Sequence, residues 1–382
     1  MNKVRIGVAG LGNMGSAHIR QILEGKIPRL EVSAISDIDP QRLSQFPQLK
    51  SFASSEEMIR SGEIDAILIT TPHYSHTTIG IDALKNGLHV LVEKPISVHK
   101  ADCEKLIAAH TNKKQVFAAM FNQRTDPYYI KIRNLVKSGE LGEIRRINWI
   151  ITNWFRTETY YASGGWRATW GGEGGGVLLN QCPHNLDLYQ WIFGLPDKVR
   201  SFCRFGHYHK IEVEDDVTAY FEYASGATGV FITSTGEAPG TNRLEITGER
   251  GRLVYENDEI RFTRNEIEMT KFSNTTKESF STPAIWDVKI PANGHGGQHN
   301  EILKNFTDAI LDGTPLIAPA KEGIHSVELA NAILQSTFDQ KAISLPINAG
   351  AYKKKLQSLA ANSKVKKKTV KTVVTDFSKS FK

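Results

Sequence analysis

The hydrophobic pattern divides the chain in two. In the first third, short apolar runs alternate with helical stretches. Val4–Ala9, Leu30–Ser36, residues 64–70 and His89–Val92 are short, apolar and bounded by turn residues, as buried strands are. Between them, residues 14–23, 56–60 and 77–85 read as helices, the last two stopped by Ser61-Gly62 and Asn86-Gly87. This succession predicts a parallel sheet with crossover helices. Near residue 145 the period changes to two. Segments 145–152, 198–204, 216–223, 228–234 and 243–247 predict a mostly antiparallel sheet joined by hairpins. Helices are expected at 177–192, 301–311 and 322–336, the last packing back on the first domain. The fold class is therefore α/β. A doubly wound parallel sheet fills residues 1–124, and an α+β domain with a large open sheet fills 125–350.

Composition changes this picture little. The chain has 382 residues, 40% hydrophobic and 23% charged, which suits two globular domains. There is no apolar run of about 18 residues and no signal-like N-terminal segment, so the expected location is the cytoplasm, with no membrane partner. Cys103, Cys182 and Cys203 are too few and too scattered for a disulfide framework or a structural zinc site, and read as buried small side chains. The formal charge of +6 comes from the end of the chain: residues 351–382 hold ten lysines and one acid. The rest is mildly acidic, which argues against nucleic acid as a partner. The segment reads as a solvated basic tail.

Gly10-Leu11-Gly12-Asn13-Met14-Gly15 lies directly between the first strand and the first helix. Gly10 permits the tight turn, Gly12 lets backbone approach a pyrophosphate, and Gly15 lets helix pack on strand; the helix start presents free N–H groups to phosphate. Asp37, after the second strand, is placed to hold the adenosine ribose. Its charge repels a 2′-phosphate, so NAD is favoured over NADP, although Arg42 is close. The first domain is accordingly read as a Rossmann domain.

Glu93-Lys94-Pro95 follows the fourth predicted strand, where parallel sheets bind ligands. Together with Thr71-Pro72-His73-Tyr74-Ser75-His76, and with the run from Gly174-Gly175-Gly176 through Asn180 and His184 to Asp187, it resembles the glucose–fructose oxidoreductase, inositol dehydrogenase and MocA (Gfo/Idh/MocA) family. The resemblance covers residues 3–347. It implies hydride transfer between NAD and a sugar or cyclitol, with Lys94 and His184 flanking the reacting carbon. It also implies that Thr71, Pro72, His76, Glu93, Asn122 and Arg124 approach the cofactor, and that Trp166 and Arg167 contact cofactor or substrate. Many relatives carry Asp where this chain has Asn180, which is read instead as substrate-binding. Asn180 and His184 are expected to share a helix face.

The chemistry of these residue types agrees. Oxidising an alcohol needs a base; His184 suits that task near neutral pH and Lys94 stabilises alkoxide charge, so either is a candidate for the formal base, with His184 preferred. Residues 153–170 hold three Trp, two Tyr and two Arg, a composition suited to the C–H faces and hydroxyl edges of sugars, with Tyr161 and Trp166 as platforms. His299 is placed to reach the substrate. His207 and His209 with nearby acids read as a surface hairpin and not as a metal site; no metal is expected. The open sheet face implies a homodimer or homotetramer. Two alternatives remain: NAD-dependent glycoside cleavage through transient C3 oxidation, and a sugar sensor that binds NAD without turnover.

Overall fold

The computed structural model describes residues 3–363. The first sheet has six parallel strands: β1 Val4–Ala9, β2 Leu30–Ser36, β3 Lys50–Phe52, β4 Ala66–Ile69, β5 His89–Val92 and β6 Phe117–Ala119. Their order, β3-β2-β1-β4-β5-β6, reverses direction beside β1, and ligands bind at such a crossing point. The four central strands are almost wholly buried, because helices cover both faces. β3 and β6 have three residues each, too short to show a period in the sequence.

The second sheet has nine strands: β7 Ile144–Ile151, β8 Lys198–Phe205, β9 Glu214–Glu222, β10 Thr228–Ser234, β11 Asn242–Gly248, β12 Gly251–Glu256, β13 Glu259–Asn265, β14 Ile285–Ile290 and β15 Ile343–Ser344. It is antiparallel except where β10 runs parallel to β7. One face carries Trp149, Phe221, Phe231, Leu244 and Leu253 into a core shared with the Pro183–Phe193 and Gly323–Asp339 helices. The hairpin from β12 to β13 turns on Asn257-Asp258, both at positive φ, a turn type in which Asn and Asp are tolerated.

Two expectations are corrected and one is extended. The helix expected over 177–192 begins only at Pro183; residues 177–182 form turns. The Gly323–Asp339 helix packs on β8 and on the Pro183–Phe193 helix and, as expected, also on the first domain, through the Lys100–Ala109 helix and through Val327 in the first core. The amphipathic Gln298–Asp312 helix returns to that core as well, through Ile302, Leu303 and Phe306. The basic tail is also not solvated throughout. Ala349–Ala361 is a helix that buries Tyr352 and Leu356 and pairs Lys353 with Asp102 at 3.1 Å. The second lysine cluster, Lys366 to Lys368, lies outside the described residues.

Candidate active site

The glycine turn is built by sterics. A Cβ on Gly15 would fall 2.0 Å from the Gly10 carbonyl oxygen, and one on Gly10, which has φ +93, would meet the Thr70 carbonyl carbon at 2.9 Å. A Cβ on Gly12 would meet only Arg42, at 3.9 Å, so this glycine faces an open approach to the helix start. No side chain caps that helix. Asp37 is buried; it accepts from Leu11 N at 2.6 Å and Asp39 N at 2.9 Å, and Arg42 stands 3.6 Å away. An uncapped helix start behind an open cradle, with a fixed carboxylate beside it, fits a dinucleotide. Gly10, Gly12, Asn13, Met14, Gly15 and Asp37 would hold it.

At the ends of β4 and β5 the polar groups interlock. His76 bridges the Thr71 and Pro95 carbonyl oxygens, each at 2.8 Å, tying one strand end to the next. Pro72 directly precedes the His73–Lys85 helix, which no side chain caps. Glu93 meets His18 at 2.8 Å and accepts from Lys94 N at 3.2 Å. Burial works to raise the Glu93 pKa, and the hydrogen bond and charge of His18 outweigh it, so the carboxyl lies below its usual range. The His299 ring sits 5.5 Å from His18, and burial, aided by His18, pushes its pKa down to about 4.

Lys94 reaches across from the first domain. Its Nζ donates to the Asn180 carbonyl oxygen at 2.7 Å. Burial lowers its pKa, while Glu93 and Glu173 act to raise it. His184, in the first turn of the Pro183–Phe193 helix, is buried, and its Nδ1 has no hydrogen-bond partner among the described residues. Burial first and the Lys94 charge second hold His184 well below the ordinary histidine pKa. A buried imidazole with its pKa held low and an amine whose charge acts on it are a combination suited to proton removal from a hydroxyl.

Other expected residues fall differently. Asn180 lies in the turns before the helix, so it shares no helix face with His184. Its side chain accepts from Tyr160 at 3.3 Å and donates to Glu173. Asp187 accepts from Arg124 at 2.7 Å through both oxygens. That fork, closed by Glu322 at 2.5 Å, engages the buried Arg124 guanidinium in a tie between the domains. Asn122 donates to Gln298 at 2.6 Å, joining the crossover to the returning helix.

In the aromatic segment, Tyr161 is buried and hydrogen-bonds Thr235 at 2.8 Å, so it packs the wall from behind. Tyr160 is the one that joins Arg167, Gln181 and Asn180. Trp154 and Trp170 are also buried in packing, while Trp166 lies 6.1 Å from His73 and under Arg167 at 4.7 Å. His209 is buried against Asp215 at 3.0 Å and the Arg156 carbonyl at 2.8 Å, a brace for this segment rather than a surface hairpin. Sequence reasoning missed His18, Tyr160 and Glu173. Glu173 carried one signal: it is the single acid between Trp166 and the three glycines.

Two family models match the chain. Residues 4–121 match an oxidoreductase family with an NAD-binding Rossmann fold, and residues 129–254 match the Gfo/Idh/MocA C-terminal domain. The chain belongs to the Gfo/Idh/MocA family. It is an NAD-binding oxidoreductase. Among its relatives in this family, myo-inositol 2-dehydrogenase of Thermotoga maritima is 25% identical over 90% of this chain and 98% of its own. Levoglucosan dehydrogenase of Pseudarthrobacter phenanthrenivorans is 23% identical over 91% of this chain and 99% of its own. The WlbA dehydrogenase of Bordetella pertussis, solved with NADH and UDP-GlcNAcA, shares the fold with a TM-score of 0.76 at 23% identity, covering 91% of this chain and all of that one. No helix among the described residues is long and apolar enough to cross a membrane.

Proposed function

We propose that this protein is an NAD-dependent dehydrogenase acting on a secondary alcohol of a sugar, sugar derivative or inositol. The observation that supports the reading is that Lys94, at the carboxyl edge of the parallel sheet, reaches the second domain at the Asn180 carbonyl, four residues before the buried His184 whose pKa its charge lowers. The names of the family relatives point to the same substrate class. The bound nicotinamide supplies the hydride acceptor. Lys94 Nζ hydrogen-bonds the reacting oxygen and stabilises its developing charge, and the neutral His184 imidazole takes the hydroxyl proton. Asn180, Tyr160 and Trp166 line the substrate side. Asp37 favours NAD over NADP.

The test is NAD reduction, followed by absorbance, on a panel of inositols, monosaccharides and simple glycosides, with NAD and NADP. One polyol should be turned over with NAD and not by Lys94→Ala. NAD binding with no turnover of any panel member by the wild type would overturn the reading in favour of a sensor. Release of aglycone without net NADH would point to glycoside cleavage.

The same reading includes a homo-oligomer. The outer face of the second sheet presents Phe202 and Tyr220, 63% and 40% exposed, among alternating charged residues. Sedimentation should give a dimer or tetramer, shifted toward monomer by Phe202→Glu/Tyr220→Glu; a monomeric wild type would refute it.

A further inference from the structure

Glu173 has a place in the site that its position in the sequence does not explain. It is 1% exposed, in the turn between the aromatic segment and the glycine run. Its carboxylate accepts from Ala168 N at 2.6 Å and from Asn180 Nδ2, and faces Arg167 at 3.8 Å. Asn180 in turn accepts Lys94 Nζ on its backbone oxygen at 2.7 Å. The carboxylate is therefore one residue removed from the amine. The surrounding backbone is held with it. Ala168, whose N–H it receives, has φ 48, uncommon for a residue with a Cβ. Gly174 has φ +76, and a Cβ there would meet Val98 at 2.0 Å. Nor can Asn180 itself bring charge to the site.

We propose that Glu173 is a positioning residue of the reaction: its buried carboxylate fixes Asn180 and, through it, the Lys94 ammonium. The proposal rests on the dehydrogenase reading for what the amine then does, and not for the contact itself. Glu93 is the other carboxylate facing Lys94. Arg156, the Cys182 thiol and His73, His76, His184 and His299 complete its charged and titratable surroundings. Glu93 is already engaged by His18, whereas Glu173 bears on Lys94 by way of Asn180. Loss of its charge must shift Lys94 toward the neutral amine.

The experiment needs no substrate. In the full chain, the rate at which Lys94 is acylated is followed against pH by mass spectrometry of the peptide that contains it. Glu173→Gln should move the Lys94 titration about one pH unit lower, the size expected for losing an opposite charge nearby. Glu173→Asp should recover it in part. The double variant E173Q/N180D, which moves the carboxylate across the hydrogen bond, should also recover it, and covers the case in which the single Gln variant does not fold. An unmoved titration in the Gln variant, or no recovery in the double variant, would overturn the proposal. With a polyol found to be turned over, Glu173→Gln should lower kcat at least tenfold, shift the pH profile in the same direction and leave the KM for NAD unchanged. Absence of turnover in the wild type would defeat the dehydrogenase reading alone, because the Lys94 titration is measured without it.

Discussion

His184 shows how burial sets function at the scale of a single residue. Its pKa is held well below the ordinary value, first by desolvation and then by the Lys94 charge. A base must be unprotonated to accept the hydroxyl proton, so oxidation persists as pH falls through the usual histidine range. The acid limb of kcat/KM, which reports the free enzyme, is expected below pH ~6.5. In the reductive direction the same group must carry a proton, and the rate should climb as pH drops. His184→Gln should lower kcat by about 10²–10⁴-fold, the usual contribution of a general base. An acid limb at or above pH ~6.5 in the oxidative direction would contradict this arrangement. The candidate site was readable in the sequence where residue type and motif coincide, as at Gly12, Lys94 and His184. It was not readable where a side chain's direction decides. Tyr160 and Tyr161 are adjacent and chemically alike, and one joins the site while the other packs behind it. The resemblance placed Arg124 toward the cofactor, and its tie to Asp187 and Glu322 could not be foreseen because both partners are distant in sequence.

At the scale of elements, the glycine run that delivers His184 is held from below by Glu214 at the start of β9. One carboxylate oxygen accepts from Gly176 N at 2.8 Å and Leu178 N at 3.0 Å, and the Glu214 carbonyl accepts from Val177 N at 3.0 Å. A Cβ on Gly176 would fall 2.0 Å from that carbonyl oxygen, so only glycine permits the approach. Burial dominates the carboxyl's ionisation and pushes its pKa up to about 7, against the opposing backbone hydrogen bonds. The folded state then binds a proton that the unfolded state releases. This stabilisation is complete below the unfolded value, near pH ~4.3, and is lost as pH rises to about 7, a total of about 4 kcal/mol. Glu214→Gln, which stays neutral, should lose that part of the pH dependence and be more stable than wild type at pH ~8. Urea unfolding of both proteins at several pH values checks it; parallel stability curves would count against a raised Glu214 pKa. The misplaced start of the Pro183–Phe193 helix has its origin here. Residues 177–182 are apolar enough to read as helix, but the N–H groups of Val177 and Leu178 are drawn to Glu214, which lies more than 30 residues away in sequence.

For the whole molecule, the two sheets were legible and their joining only in part. Periods of strand and helix are local, so β1, β2, β4 and β5 and most of the second sheet could be read directly. The β12–β13 hairpin escaped because its Asn257-Asp258 turn lacks glycine. That the Gln298–Asp312 helix also returns to the first domain depends on complementary surfaces, which a single sequence does not display. The Arg124 tie is the clearest case. It links the end of the first domain to Asp187 in the Pro183–Phe193 helix and to Glu322 ahead of the Gly323–Asp339 helix, with Phe121 and Trp191 rings 5.6 and 5.4 Å from the guanidinium. Arg124 and Asp187 are both buried, so removing one leaves the other's charge uncompensated. Arg124→Ala should therefore destabilise the protein by about 3–5 kcal/mol. Replacing both charges with apolar side chains of similar volume, as in R124M/D187L, should restore most of that loss, because the desolvation penalty goes with the pair. NAD affinity separates this role from the one expected from sequence. A structural tie predicts that the double variant binds NADH, followed by its fluorescence, as tightly as the wild type. A tenfold weaker Kd in a double variant of near-native stability would instead place Arg124 against the cofactor.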